Sequence, residues 1–216
     1  MKKIITVTFL LTFIAVAGFA QTDARAKSIL AQVSQKYRTY NIIKADFTLT
    51  IDNPAAKIKQ SQTGTIYVKS KTNKYKVTLK DQDLISDGKT QWTYQKQDKE
   101  VQVSDVDNSQ NSINPAQIFT IYEKGYKYLY VGDGKINGRS TYTIDLSPVD
   151  TKPSFFKVRL SIDKANKTIS NAIIFDKGGA KYTYLIRSFT PNVKVSESIF
   201  SFNPKAHPGV EVVDLR

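Results

Sequence analysis

The chain has 216 residues, enough for one domain with a sizeable core, and it contains no cysteine and a single histidine. It therefore has no disulfide framework, no thiol nucleophile, no cluster of soft metal ligands, and no cysteine at which an exported lipoprotein would be acylated. Its net charge of +13 favours nucleic acid, anionic membrane surfaces or acidic partners.

Lys2-Lys3, the uncharged run from Ile4 to Ala17, and Gly18-Phe19-Ala20 have the charged, apolar and small-residue regions of a cleavable secretory signal over residues 1–20. The apolar run is shorter than the roughly 20 residues that a spanning helix needs. The mature chain is then expected to begin at Gln21, with residues 21–216 forming one domain. Loss of Lys2 and Lys3 lowers the charge by two, to +11. Export argues against nucleic acid as a partner. Many of the lysines, Lys57, Lys59, Lys69, Lys71, Lys74, Lys76 and Lys80 among them, alternate with apolar residues, as on the solvated face of amphipathic strands.

After a Thr22-Asp23 cap, Ala26, Ile29, Leu30, Val33 and Tyr37 recur at helical spacing, which predicts an amphipathic helix over residues 23–38. Ile43, Ala45, Phe47, Leu49 and Ile51 then alternate with polar residues, the period-two pattern of a half-buried strand. Further strands are predicted at Lys57 to Lys69, Lys74 to Lys80, Leu84 to Ser86, Thr90 to Gln95 and Glu100 to Val103. Their short connections indicate an antiparallel meander. The polar run Ser104 to Ser112 interrupts it. Asn114-Pro115 then opens a short helix, with Ile118, Phe119, Ile121 and Tyr122 on its apolar side and Gly125 at its end. Strands resume at Tyr126 to Val131, Arg139 to Leu146, Phe155 to Asp163, Thr168 to Asp176 and Lys181 to Thr190. About ten strands and two helices make an α+β, mostly β fold: one strongly curved antiparallel sheet whose concave side is plugged by the helices. Such a sheet either fills its interior with side chains or leaves an apolar hollow.

Asp87-Gly88 predicts a type I′ hairpin turn into the strand that carries Trp92 and Tyr94. Gly88-Lys89-Thr90 is not a phosphate-binding loop: Asp83 stands where that motif needs its first glycine, and a strand follows where it needs a helix. Catalytic chemistry has few candidates. His207 lies between Pro204 and Pro208 in the terminal tail, and no nucleophile elbow, carboxylate cluster or paired-histidine motif is present. Asp81, Asp83 and Asp87 read as turn residues rather than metal ligands. The chain is accordingly expected not to be an enzyme and to need no cofactor or metal. Aromatic residues are abundant, and pairs such as Tyr126/Tyr128/Tyr130 and Tyr182/Tyr184 suit either core packing or the wall of an apolar pocket.

Two segments, Ser86-Asp87-Gly88-Lys89-Thr90-Gln91-Trp92-Thr93-Tyr94 and Phe200-Ser201-Phe202-Asn203-Pro204 with Gly209-Val210-Glu211-Val212-Val213-Asp214, resemble the outer-membrane lipoprotein carrier protein family, the LolA-type periplasmic chaperones. The leader, the helix ending in Lys36-Tyr37, Ile43-Lys44-Ala45-Asp46-Phe47 and Gln62-Thr63-Gly64-Thr65-Ile66 fit that family in order, so the resemblance spans nearly the whole mature chain. It implies an incomplete β-barrel closed by a helical lid over a hydrophobic cavity for lipoprotein acyl chains. It further implies a soluble periplasmic monomer, loaded by an inner-membrane ATP-driven releasing complex and unloaded at an unidentified outer-membrane acceptor. An alternative on the same sheet architecture is a periplasmic lipid-binding or envelope-stress sensor protein. The family's Arg-Pro pair is replaced by Lys71-Thr72, and lysine lacks the planar multi-donor fork through which that arginine acts on lid or lipid.

On this resemblance Phe47, Leu49, Ile66, Val68, Tyr75, Val77, Trp92 and Tyr94 are expected on the concave wall. Ile29, Leu30, Val33, Phe119 and Tyr122 would face them from the helices, with Lys71 at the lid. A single bulge would exchange the two faces of any of these strands.

Overall fold

The computed structural model describes residues 17–106, 115 and 119–216, with side chains from Asp23 onward. The first sixteen residues of the expected leader, most of the polar run and the start of the second expected helix, including Ile118, lie outside the described residues.

One α-helix, α1 (Ala17–Tyr37), precedes a single sheet of twelve strands among the described residues. These are β1 (Ile42–Asn53), β2 (Ile58–Lys69), β3 (Lys74–Thr78), β4 (Gln82–Asp87), β5 (Thr90–Gln95), β6 (Glu100–Asp105), β7 (Tyr126–Ile136), β8 (Arg139–Pro148), β9 (Phe155–Asp163), β10 (Ile169–Asp176), β11 (Lys181–Pro191) and β12 (Glu211–Asp214). Their order across the sheet is β12-β6-β5-β4-β3-β2-β1-β11-β10-β9-β8-β7, so the sheet does not close on itself. Two meanders, β1–β6 and β7–β11, are joined where β1 pairs with β11 (Ile43↔Pro191 through Asp52↔Lys181).

The mostly β, curved architecture is as expected, with differences at its margins. Helix α1 does not start at a Thr22-Asp23 cap but runs through both residues. Among the described residues, the expected second helix is represented by a 3-10 turn, Ile121–Glu123, with Tyr122 buried. β12 is not among the expected strands. It pairs parallel with β6 (Glu211↔Glu100 to Asp214↔Val103), which a short, half-exposed Val-Val run does not announce. The β4–β5 turn has positive φ at Gly88 (101°) but not at Asp87 or Lys89, which is the type II′ pattern rather than the type I′ expected from Asp-Gly. The Asp87 carboxylate accepts from the Lys89 and Thr90 N–H groups and so braces the turn from the residue before Gly88.

The main core lies on the concave side. Alternation in β1 sends Ile43, Ala45, Phe47 and Leu49 inward and leaves Lys44, Asp46, Thr48 and Thr50 on the convex face. Ala26, Ile29, Leu30, Val33 and Tyr37, spaced along one stripe of α1, pack against this surface. Convex-face polar groups are tied laterally: Asp46 accepts from Thr65 and Ser188, and these hydrogen bonds hold its carboxyl below the usual range. Asp145 takes a forked pair from Arg159 at 2.6 and 2.8 Å. A second, smaller core on the convex side joins Ile85 and Val101 to Phe202, with Trp92, Tyr94 and Val210 packed on it.

Helix and sheet are also joined by a buried polar contact, in which the Tyr37 hydroxyl accepts from the Ile169 N–H at 2.9 Å. Tyr37→Phe leaves that N–H unpaired in the core and is expected to cost about 1–3 kcal/mol. Urea denaturation checks this; an unchanged midpoint would show that the backbone finds another partner.

Candidate functional site

Three elements build the site. β1 to β4 supply one wall, because their inward positions are aliphatic or aromatic. β10 and β11 supply the other, brought alongside β1 by the long-range pairing. The segment from Phe119 to Glu123 crosses between them. They enclose a hollow of about 230 Å³ lined by Phe47, Leu49, Ile66, Val77, Leu79, Gln82, Leu84, Pro115, Phe119, Ile169, Ala172, Tyr184 and Ile186. Among the described residues, Gln82 is its one amide side chain, and no charged side chain lines it. Such a cavity attracts apolar ligand through displaced water and offers almost nothing to orient a polar one.

Next to the hollow lies a vestibule of about 340 Å³ with a different character, lined by Tyr37, Arg38, Ile43, Val68, Ser70, Lys71, Thr72, Asn73, Phe119, Thr120 and Glu123. Phe119 borders both spaces and is 3% exposed. Its ring lies 5.2 Å from that of Tyr37 and 5.9 Å, edge-on, from that of Phe189. One aromatic side chain thus separates an apolar compartment from a polar one. The segment bearing it is fastened to the end of α1 by the Arg38–Glu123 ion pair at 3.0 Å, and the Tyr128 hydroxyl donates to the Tyr122 carbonyl at 2.6 Å.

The expected site residues divide among four places. Phe47, Leu49, Ile66, Val77 and Phe119 line the hollow. Val68 and Lys71 line the vestibule, Lys71 at a positive φ of 60° in the β2–β3 turn. Ile29, Leu30, Val33, Tyr75 and Tyr122 are buried in the same core without lining either space. Trp92 and Tyr94 are corrected: they face the convex side, where Tyr94 packs 5.2 Å from Phe202 and 4.7 Å from His207. The inward positions of β5 are instead polar, and Gln91 accepts from the Tyr75 hydroxyl at 2.5 Å. His207 stacks on Phe202 at 4.7 Å.

Sequence reasoning does not assign Leu79, Leu84, Ile169, Ala172, Tyr184 and Ile186 to the hollow. The inward alternation of β4 could have supplied Leu84, and the Tyr182/Tyr184 pair suits wall or core equally. Which strands neighbour β1 is set by pairing across more than a hundred residues, as Leu49↔Tyr184 illustrates, and local periodicity cannot show it.

Burial governs the titration of the inward tyrosines. It pushes Tyr75 and Tyr126 up to about 12, and it also raises Tyr37 and Tyr122. Above pH 10 the unfolded chain loses these protons while the folded one keeps them, so stability is fully present below pH 10 and is lost as pH rises towards 12. Denaturation midpoints should be level from pH 7 to 9 and fall above about 10. A midpoint that stays level up to pH 12 would contradict the burial of these hydroxyls.

Comparison with known proteins places this geometry. A family model described as outer membrane lipoprotein carrier protein LolA matches residues 38–203. An outer-membrane lipoprotein carrier protein from Haemophilus influenzae (strain ATCC 51907 / DSM 11121 / KW20 / Rd) is 26% identical, covering 100% of this chain and 99% of the relative. One of the same name from Pasteurella multocida (strain Pm70) is 26% identical over 98% of this chain and 96% of its own length. Among solved structures, an uncharacterized conserved protein from Thermus thermophilus superposes with a TM-score of 0.59 at 13% identity, covering 88% of this chain and 99% of that one, a likeness of fold alone.

Proposed function

The chain belongs to the outer membrane lipoprotein carrier protein LolA family, and from that premise we propose that it is a periplasmic carrier that shields the acyl chains of lipoproteins on their way to the outer membrane. The observation that carries this reading is a hollow whose described lining is uncharged, inside an unclosed sheet and covered by a segment that the Arg38–Glu123 ion pair and the Tyr128–Tyr122 hydrogen bond fasten. It is a carrier rather than an enzyme, and the described lining of the hollow offers a ligand no charged group. No helix among the described residues is long and apolar enough to cross a membrane.

Each methylene withdrawn from water contributes about 0.8 kcal/mol, so one acyl chain of about fifteen methylenes represents roughly 12 kcal/mol. Unassisted transit through water is therefore closed. Three chains would exceed the ceiling of about 20 kcal/mol for non-covalent affinity, so a carrier that must also release its cargo covers them in part. The hollow of about 230 Å³ lies below the roughly 300–1,000 Å³ of ordinary ligand sites. Loading must widen it, and Phe119 and its segment are the part positioned to move. Lys71, in the vestibule beside Arg38 and Glu123, is placed to act on that segment in the open form. The carrier works as a monomer after removal of residues 1–20. It is loaded by an inner-membrane ATP-driven releasing complex and delivers to an outer-membrane acceptor.

Native mass spectrometry of the protein taken from its own periplasm tests the reading. A bound acylated polypeptide is expected. Free lipid alone would indicate a lipid-binding protein on the same sheet, and an empty protein that also ignores triacylated peptide would remove the carrier reading.

A further inference from the structure

Outside the hollow, charge is concentrated where α1 meets the β7–β8 and β9–β10 turns. The Arg25 guanidinium lies 4.0 Å from the centre of the Tyr130 ring and 5.9 Å from that of Tyr142. Lys164 and Lys167, both in the β9–β10 turn, stand 4.8 and 5.2 Å from the Tyr142 ring. Lys36 is brought to the same turn by donating to the Asn166 carbonyl. The exposed carboxylate among them is Asp133, 2.7 Å from Lys164 and 3.9 Å from Arg25. Asp163 is buried beneath the turn, where it accepts from the Asn166 N–H and has Arg139 at 3.9 Å. Five cations thus face two carboxylates, one of them buried, and three of the cations lie against aromatic faces.

We propose that this patch docks the protein onto the surface of an anionic phospholipid bilayer. The inference goes beyond the carrier reading and does not depend on cargo. The cations come from three separate elements, and most lie over rings or backbone rather than forked into carboxylates. Such a surface suits diffuse, mobile negative charge more than the fixed register of a protein epitope, because headgroups can redistribute beneath it. Tyr130 and Tyr142 add the amphipathic rings favoured at a membrane interface. With no exposed aliphatic anchor among its residues, the patch gives attachment that is reversible and screened within about 8 Å at physiological salt.

The test is flotation of the cargo-free exported protein with vesicles of phosphatidylcholine plus phosphatidylglycerol, against phosphatidylcholine alone. Binding only to the anionic vesicles, lost with added salt, is expected. Lys164→Glu with Lys167→Glu should weaken partitioning by more than about tenfold, while Lys57→Glu with Lys59→Glu in the β1–β2 hairpin, of equal net charge, should weaken it by less than about threefold. Asp133→Asn should strengthen it, which keeps the test decisive should the double reversal fail to fold. Absence of anionic preference overturns the proposal and leaves the patch to an acidic protein. Equal loss in both double variants, or weaker binding by Asp133→Asn, overturns it in favour of the overall charge or another face.

Discussion

Phe119→Glu is expected to lower the affinity for a triacylated peptide by at least about a hundredfold, whereas Trp92→Glu is expected to leave it nearly unchanged. Phe119 is buried between Tyr37 and Phe189 and borders both hollow and vestibule. Among the described residues, a carboxylate there has no cation on the hollow side to compensate desolvation worth several kcal/mol; Arg38 and Lys71 lie on the vestibule side. It must stay protonated or swing its segment outward, and either outcome leaves the hollow poorly covered. Trp92 lies on the other face with Ile85, Val101 and Phe202. Its replacement should loosen the tail and cost about 1–3 kcal/mol of stability without touching the acyl site. Titration of a fluorescent triacylated peptide, alongside urea denaturation, separates the two. Full binding by the Phe119 variant, or loss of binding by a folded Trp92 variant, would move the acyl site out of the concave hollow.

Gly64→Ala is expected to destabilise the protein by about 1–3 kcal/mol, although alanine is a small residue. A Cβ at Gly64 would meet Phe47 Cζ at 2.6 Å, Leu79 Cδ2 at 2.7 Å and the Thr78 carbonyl oxygen at 2.9 Å. The two side chains line the hollow and would be pushed towards it, and the carbonyl belongs to a paired strand. The urea midpoint should fall at unchanged m-value, and acyl affinity should fall with it as Phe47 and Leu79 take up the space. Thr63→Ala, at the exposed neighbouring position, should shift stability by no more than about 0.5 kcal/mol. A Gly64→Ala protein as stable as the parent would mean that β2 and β3 can part at this point.

Most of the sheet can be read from the sequence because its strands carry a clean alternation between apolar and polar residues. In β1 the polar partners Lys44, Asp46 and Thr48 mark the convex face unambiguously, and Phe47 and Leu49 follow to the hollow. β5 misleads by the same logic. Its aromatic residues Trp92 and Tyr94 look inward-facing, but the returning tail covers the convex face there, while Gln91 and Thr93 occupy the inner one. Alternation gives the two faces of a strand and not which face a distant segment will cover. The apolar positions of β10 and β11 are equally visible, yet their part in the hollow depends on pairing with β1.

The junction of β1 with β11 also constrains when the molecule can form. β1 lies in the interior of the sheet, and one of its two neighbours comes from residues 181–191. A chain released from its N-terminus onward can assemble β1 to β6, but that meander presents a bare edge at β1, and the far wall of the core is absent until residues 181–191 have emerged. The loop-closure entropy of that pairing is met late, so folding should be slow relative to helical proteins of this size. A chain whose core stays incomplete until β11 arrives is at most loosely folded until then, and so remains suited to passage through a narrow export channel.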